Sequence, residues 1–85
     1  MADKAEQSRL VKRSVTLAGH RTSLSLEGVF WEQLVCIAQS RGQSLNSLVA
    51  EIDETREGNL SSAVRVYVLE RVLEKAALGA RHSPA

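Results

Sequence analysis

The sequence predicts a mainly α-helical chain with one short β-strand, closed into a two-stranded antiparallel ribbon by a second copy in an intertwined homodimer, with an additional C-terminal helix. Three observations carry this. Residues 20–26 alternate strictly, with Thr22, Leu24 and Leu26 on one face and Arg21, Ser23 and Ser25 on the other. The rest of the chain beyond them is helix-periodic, broken only at turn-forming residues. No second long strand of matching quality is present, so the backbone N–H and C=O groups of this one need a partner, and the nearest is the same strand of another copy. At 85 residues a single core is marginal, and oligomerisation is a common remedy.

Composition narrows the class. An apolar content of 44% is that of an ordinary globular domain. No apolar run is long enough to span a bilayer, and the polar N-terminus lacks the apolar block of a secretory signal. Cys36 is the one cysteine, so an internal disulfide is impossible and the chain reads as a reduced, cytoplasmic protein. Net charge is only +1, but it is unevenly spread. In residues 1–22, Lys4, Arg9, Lys12, Arg13 and Arg21 face only Asp3 and Glu6, a net +3. Residues 23–60 carry −4 and residues 61–85 carry +2. The basic excess lies beside the strand, and dimerisation would bring two such regions together.

Each element follows from local pattern. Residues 1–12 are polar and read as a flexible arm, residues 13–78 as the folded domain and residues 79–85 as a frayed tail. Ser14-Val15-Thr16-Leu17 is β-prone and Ala18-Gly19-His20 suits a turn; these residues form either a hairpin with the strand or an extension of the arm. Glu27-Gly28 ends the strand. A helix over residues 29–41 follows, with Phe30, Leu34, Ile37 and Ala38 as its apolar stripe, Trp31 flanking it and Gly42 as its stop. Ser44 caps a second helix over residues 45–56, which buries Leu45, Leu48, Val49 and Ile52. Glu57-Gly58-Asn59 breaks it. Ser61 and Ser62 cap a third helix over residues 62–78, closed by Gly79. Its apolar positions, Val64, Val66, Val68, Leu69, Val72, Leu73 and Ala76, exceed one stripe, as expected of a helix facing both its own core and a partner subunit.

Arg21, Ser23 and Ser25 offer a guanidinium and two hydroxyls, groups that hydrogen-bond base edges and phosphates. Strand, helix, Gly-x-Ser, helix, carried by residues 21–26, Phe30, Leu34, Ala38, Gly42, Ser44 and Leu48, resembles the ribbon-helix-helix family of bacterial DNA-binding regulators. Residues 59–65 are similar to a small subgroup with a third helix. The resemblance implies a homodimeric, sequence-specific transcriptional regulator, a repressor, whose antiparallel ribbon enters the major groove of double-stranded DNA. It implies base contacts from Arg21, Ser23 and Ser25, with specificity leaning on Arg21, since arginine pairs bidentately with guanine whereas serine discriminates poorly. It also implies phosphate contacts from Ser44, Asn46 and Ser47 at the start of the second helix, where free N–H groups and the helix dipole favour an anion. Lys12 and Arg13 are further phosphate candidates. In a second threading the phosphate anchor moves to Ser61 or Ser62; Ser44 is preferred because its spacing from Leu26 through Gly42 needs no insertion.

Other chemistry finds little support. There is no nucleophile elbow, no phosphate-binding glycine loop and no carboxylate pair suited to acid–base work, so an enzyme is not expected. His20 and His82 lie far apart without ligand-spaced companions, so neither a metal nor another cofactor is expected. Cys36, between Val35 and Ile37, reads as a buried, inert thiol. Asp53, Glu54 and Glu57 form an acidic cluster that is either a solvated face or a surface for a protein partner. The alternative function is therefore a protein-interaction module or antitoxin-like dimer using that cluster and the third helix.

Overall fold

The computed structural model describes the backbone of residues 7–82 and the side chains of residues 7–79. Residues 1–6 of the expected arm and residues 83–85 of the expected tail lie outside the described residues. Two strands, β1 (Leu10–Leu17) and β2 (His20–Glu27), are followed by three helices, α1 (Gly28–Ser40), α2 (Leu45–Thr55) and α3 (Leu60–His82). The architecture is thus an antiparallel ribbon followed by three helices, mainly helical as expected.

Of the two readings left open for residues 14–20, the structure has the hairpin. β2 pairs with β1 of its own chain, Leu17 opposite His20 and Leu10 opposite Glu27. The turn explains why. Ala18 and Gly19 have φ of +52° and +80°, the left-handed pair of a two-residue hairpin loop whose twist matches that of its strands. Gly19 tolerates this conformation without penalty. The hairpin also moves the start of the folded domain: residues 10–12 belong to β1, and the Gly28 N–H donates to the Arg9 carbonyl at 3.0 Å.

The helices end where their caps dictate. Gly42, at φ +65°, closes α1: its N–H donates to the Gln39 carbonyl, and the Gln43 N–H to the Ala38 carbonyl. Ser44 caps α2, its hydroxyl accepting from the Ser47 N–H at 3.0 Å. α3 starts at Leu60, because the Asn59 side chain, rather than Ser61 or Ser62, accepts from the Ser62 N–H at 2.8 Å. α3 also continues through Gly79 to His82. Gly79 has no positive φ there, so nothing forces a stop.

Val15, Leu17, Leu24 and Leu26 from the ribbon meet Trp31, Leu34, Ala38, Leu48, Val49, Ile52, Val64 and Val68 in one core. β1 packs on α2, and β2 on α1 and α3. On α1 the buried face is turned from the expected stripe. Trp31 is 3% exposed whereas Phe30 and Ile37 are only half-buried. The Trp31 indole N–H donates to the Val11 carbonyl at 2.9 Å, a contact available only once β1 lies alongside. Cys36 is exposed, correcting its expected burial: it sits on the side of α1 away from Leu34 and Ala38.

Candidate nucleic-acid interface

The hairpin has two unlike faces, and its register shows how they arise. Side chains alternate along each strand, so Val15 and Leu17 share the core face with Leu24 and Leu26. The opposite face carries the directly opposed pairs Thr16 with Arg21, Ser14 with Ser23 and Lys12 with Ser25. All six are polar, five are exposed and Ser25 is half-buried. Lys12 and Arg21 make no ion pair among the described residues. They lie four positions apart along the ribbon, about 13 Å at about 3.3 Å per residue. The face is therefore a narrow polar strip with a free cation toward each end and hydroxyls between.

The structure brings together most of the residues singled out from the sequence. Arg21, Ser23, Ser25 and Lys12 share one face. Ser14 and Thr16 join them, missed from the sequence although their alternation with Val15 and Leu17 was visible; the hairpin had to be known before it could be used. Arg13 lies apart, on the other face, with its guanidinium 5.1 Å from the centre of the Trp31 ring, a cation–π contact.

Ser44 and Ser47 sit at the start of α2 beside the ribbon tip. Asn46 makes that neighbourhood. Its side-chain oxygen accepts from the Thr16 N–H at 2.8 Å and its side-chain nitrogen donates to the Thr16 carbonyl at 2.9 Å. In an antiparallel pair joined by a two-residue loop, residues 17 and 20 bond each other, so Thr16 points its backbone groups to the outer edge of β1. Asn46 occupies that edge as a strand would.

The base of the ribbon is tied to α3. Arg65 Nε and Nη2 donate to the Glu27 carboxylate at 2.9 and 3.2 Å. This pair holds the Glu27 carboxyl below the usual carboxylate range. The Arg65 guanidinium also lies 5.8 Å from the centre of the Phe30 ring, and the Ser61 hydroxyl reaches the Ser25 carbonyl at 3.5 Å. Ser61 and Ser62 thus lie at the base of the ribbon, while Ser44 lies at its tip.

Of the acidic residues, Glu27 continues this face at the base of the ribbon, where Arg65 pairs with it, and those of α2 bond elsewhere. Asp53 bonds Arg56 at 2.6 Å, and Glu51 bonds Arg41 at 3.3 Å. Asp53 lies in the last turn of α2 and Glu51 in its middle, after Asn46. Among the described residues no group of His, Cys, Asp and Glu is placed to hold a metal ion, and no helix is long and apolar enough to cross a membrane.

Comparisons with known proteins agree with this geometry. The family model described as "Ribbon-helix-helix domain" matches residues 10–72. A search of curated proteins gives no match. Among solved structures, the chain is similar to an uncharacterized protein from Bordetella pertussis Tohama I, with 26% identity and a TM-score of 0.79 over 88% of this chain. The match covers 65% of that protein's chain.

Proposed function

From the premise that this chain belongs to the ribbon-helix-helix family, whose members are generally DNA-binding transcription regulators or antitoxins, we propose that it is a cytoplasmic, sequence-specific transcriptional repressor acting as a homodimer. The observation that carries this reading is the polar strip of the ribbon. Arg21, Ser23 and Ser25 project from one face of β2, opposite the face that holds the core. A major groove about 12 Å wide admits two strands.

The closed hairpin shapes how two copies would meet. By the same ladder logic, the backbone groups of Arg21 and Ser23 point to the outer edge of β2. Antiparallel pairing of that edge with its twin puts two β2 strands at the centre of a four-stranded sheet, with the two β1 strands flanking them. Four strands span about 14 Å between the outer axes at about 4.8 Å spacing. The central pair then reads bases through Arg21, Ser23 and Ser25 of both copies. Lys12, on β1, falls toward the phosphates, and Ser44 and Ser47 at the start of α2 meet the backbone beyond. Val66, Leu69 and Leu73 of α3 are each more than half exposed and supply apolar surface for the second copy.

Arg21→Ala tests the reading. It is expected to cost about 1–3 kcal/mol of affinity for a duplex selected by the wild-type protein, with the dimer intact by sedimentation. Wild-type affinity should also fall steeply with salt. A folded dimer with no DNA binding at low salt would instead favour the protein-interaction reading. The groove between α2 and α3 supports that second reading, lined by Ile52, Ala63, Val66 and Tyr67 together with Glu57 and Glu70.

A further inference from the structure

We infer that Asn46 is a positioning residue for DNA recognition: it sets the angle of the ribbon against the helices and so decides where Arg21 meets a base. The inference rests on the DNA-binding reading above and departs from the expectation of Asn46 as a phosphate ligand. Its amide presents one acceptor and one donor side by side, the same pair a peptide group offers. Both are spent on one residue, Thr16, at 2.8 and 2.9 Å. The side chain has no donor left aimed at an external anion other than the second N–H of the same nitrogen.

Position makes this clamp consequential. Thr16 lies directly opposite Arg21 across the ribbon, and one residue pair from the turn. The ribbon is a lever. Its base is joined covalently to α1 at Gly28 and pinned by the Glu27–Arg65 pair. Arg21 is six residues from Glu27, about 20 Å at about 3.3 Å per residue. A pivot of about 10° at the base displaces Arg21 by about 3.5 Å, beyond the tolerance of a hydrogen bond. Val15 and Leu17 also hold the tip to α2, but apolar burial is non-directional and permits sliding. Two parallel hydrogen bonds to one backbone residue fix both distance and orientation. Because Asn46 stands two residues after Ser44, the same clamp also sets the distance between the base-reading face and the phosphate-facing start of α2.

Asn46→Ala removes both bonds, and Asn46→Asp keeps the acceptor for the Thr16 N–H while setting a carboxylate against the Thr16 carbonyl. Binding is measured against a duplex selected by the wild-type protein from a randomised library and against a scrambled duplex, at several salt concentrations. For Asn46→Ala the expected result is a loss of about tenfold in the ratio of selected to scrambled affinity, comparable to a misplaced bidentate base contact, with the salt slope unchanged. Asn46→Asp should lose at least as much. An equal loss of affinity for the selected and the scrambled duplex, at an unchanged melting temperature, would make Asn46 a phosphate ligand and overturn the inference. A lowered melting temperature with the affinity ratio intact would leave Asn46 a purely structural residue and also overturn it. If the wild-type protein shows no preference for any duplex, the DNA reading itself fails. Residual dipolar couplings of residues 10–27 relative to the helices then decide the remainder: a reorientation of the hairpin in Asn46→Ala supports the clamp, and an unchanged orientation refutes it.

Discussion

At the base of the ribbon, Glu27 is bonded to Arg65, the Gly28 N–H to Arg9, the Ser61 hydroxyl to Ser25 and the Trp31 indole to Val11. At the tip, the side-chain hydrogen bonds from the helices come from Asn46, both to Thr16. Leu26 at the base is fully buried, whereas Leu17 beside the turn is 9% exposed. Among the described residues, one end is tied redundantly, from α1, α3 and the chain before β1; the other is held by one side chain and the edge of the core. The contrast suits a recognition element. The base gives the ribbon a defined axis, and the tip, which bears Arg21, is bonded to α2 through Asn46.

The contrast can be broken from either end. The largest effect is expected at the base: Leu26→Ala leaves a cavity where α1, α3 and the ribbon meet and should cost about 2–5 kcal/mol, against the lower end of that range for Leu17→Ala. Urea unfolding of the two variants checks the order, and equal losses would mean that the tip is as firmly packed as the base. A smaller effect is expected at the turn. Gly19→Ala places a Cβ in the left-handed region at φ +80° and should cost about 1 kcal/mol. Hydrogen exchange should localise the loosening to the residues flanking the turn and leave residues 24–27 protected.

The smallest effect concerns charge. Arg65 depresses the Glu27 carboxyl, so the ion pair contributes stability above the ordinary glutamate range and loses it as pH falls through the depressed native value. Glu27→Gln removes that dependence. The stability difference between wild type and variant should therefore be greatest near neutral pH and shrink in acid. A difference constant with pH would show that the pair adds only packing.

Much of the fold can be read along the chain, and the reasons differ by element. Gly42 and Ser44 marked their boundaries because caps act over three to five residues. The strand at residues 20–26 is legible from strict alternation, one residue short of its observed end at Glu27. Its partner was not: Ser14-Val15-Thr16-Leu17 is short and Ala18 is an unusual turn residue for a left-handed φ, so a hairpin and an extended arm were equally good readings. Asn59 does not stand out as a cap, because it follows Gly58 and reads as part of the break. Trp31 looked peripheral because the apolar spacing of Phe30, Leu34, Ile37 and Ala38 is the more regular one.

For the candidate interface, the identities of Arg21, Ser23 and Ser25 and their common face follow from residue type and a period of two, properties that no packing can change. The roles of their neighbours required distant segments to meet. Trp31 reaches a carbonyl 20 residues back, Asn46 grips a residue 30 positions earlier and Arg65 finds a carboxylate 38 positions away. Local patterns carry no record of such partners, because a side chain's hydrogen-bonding capacity is set by its chemistry while the group it satisfies is set by where the chain returns. Thus the candidate face was written in seven consecutive residues, and its setting came from the packing of α2 and α3 around the ribbon.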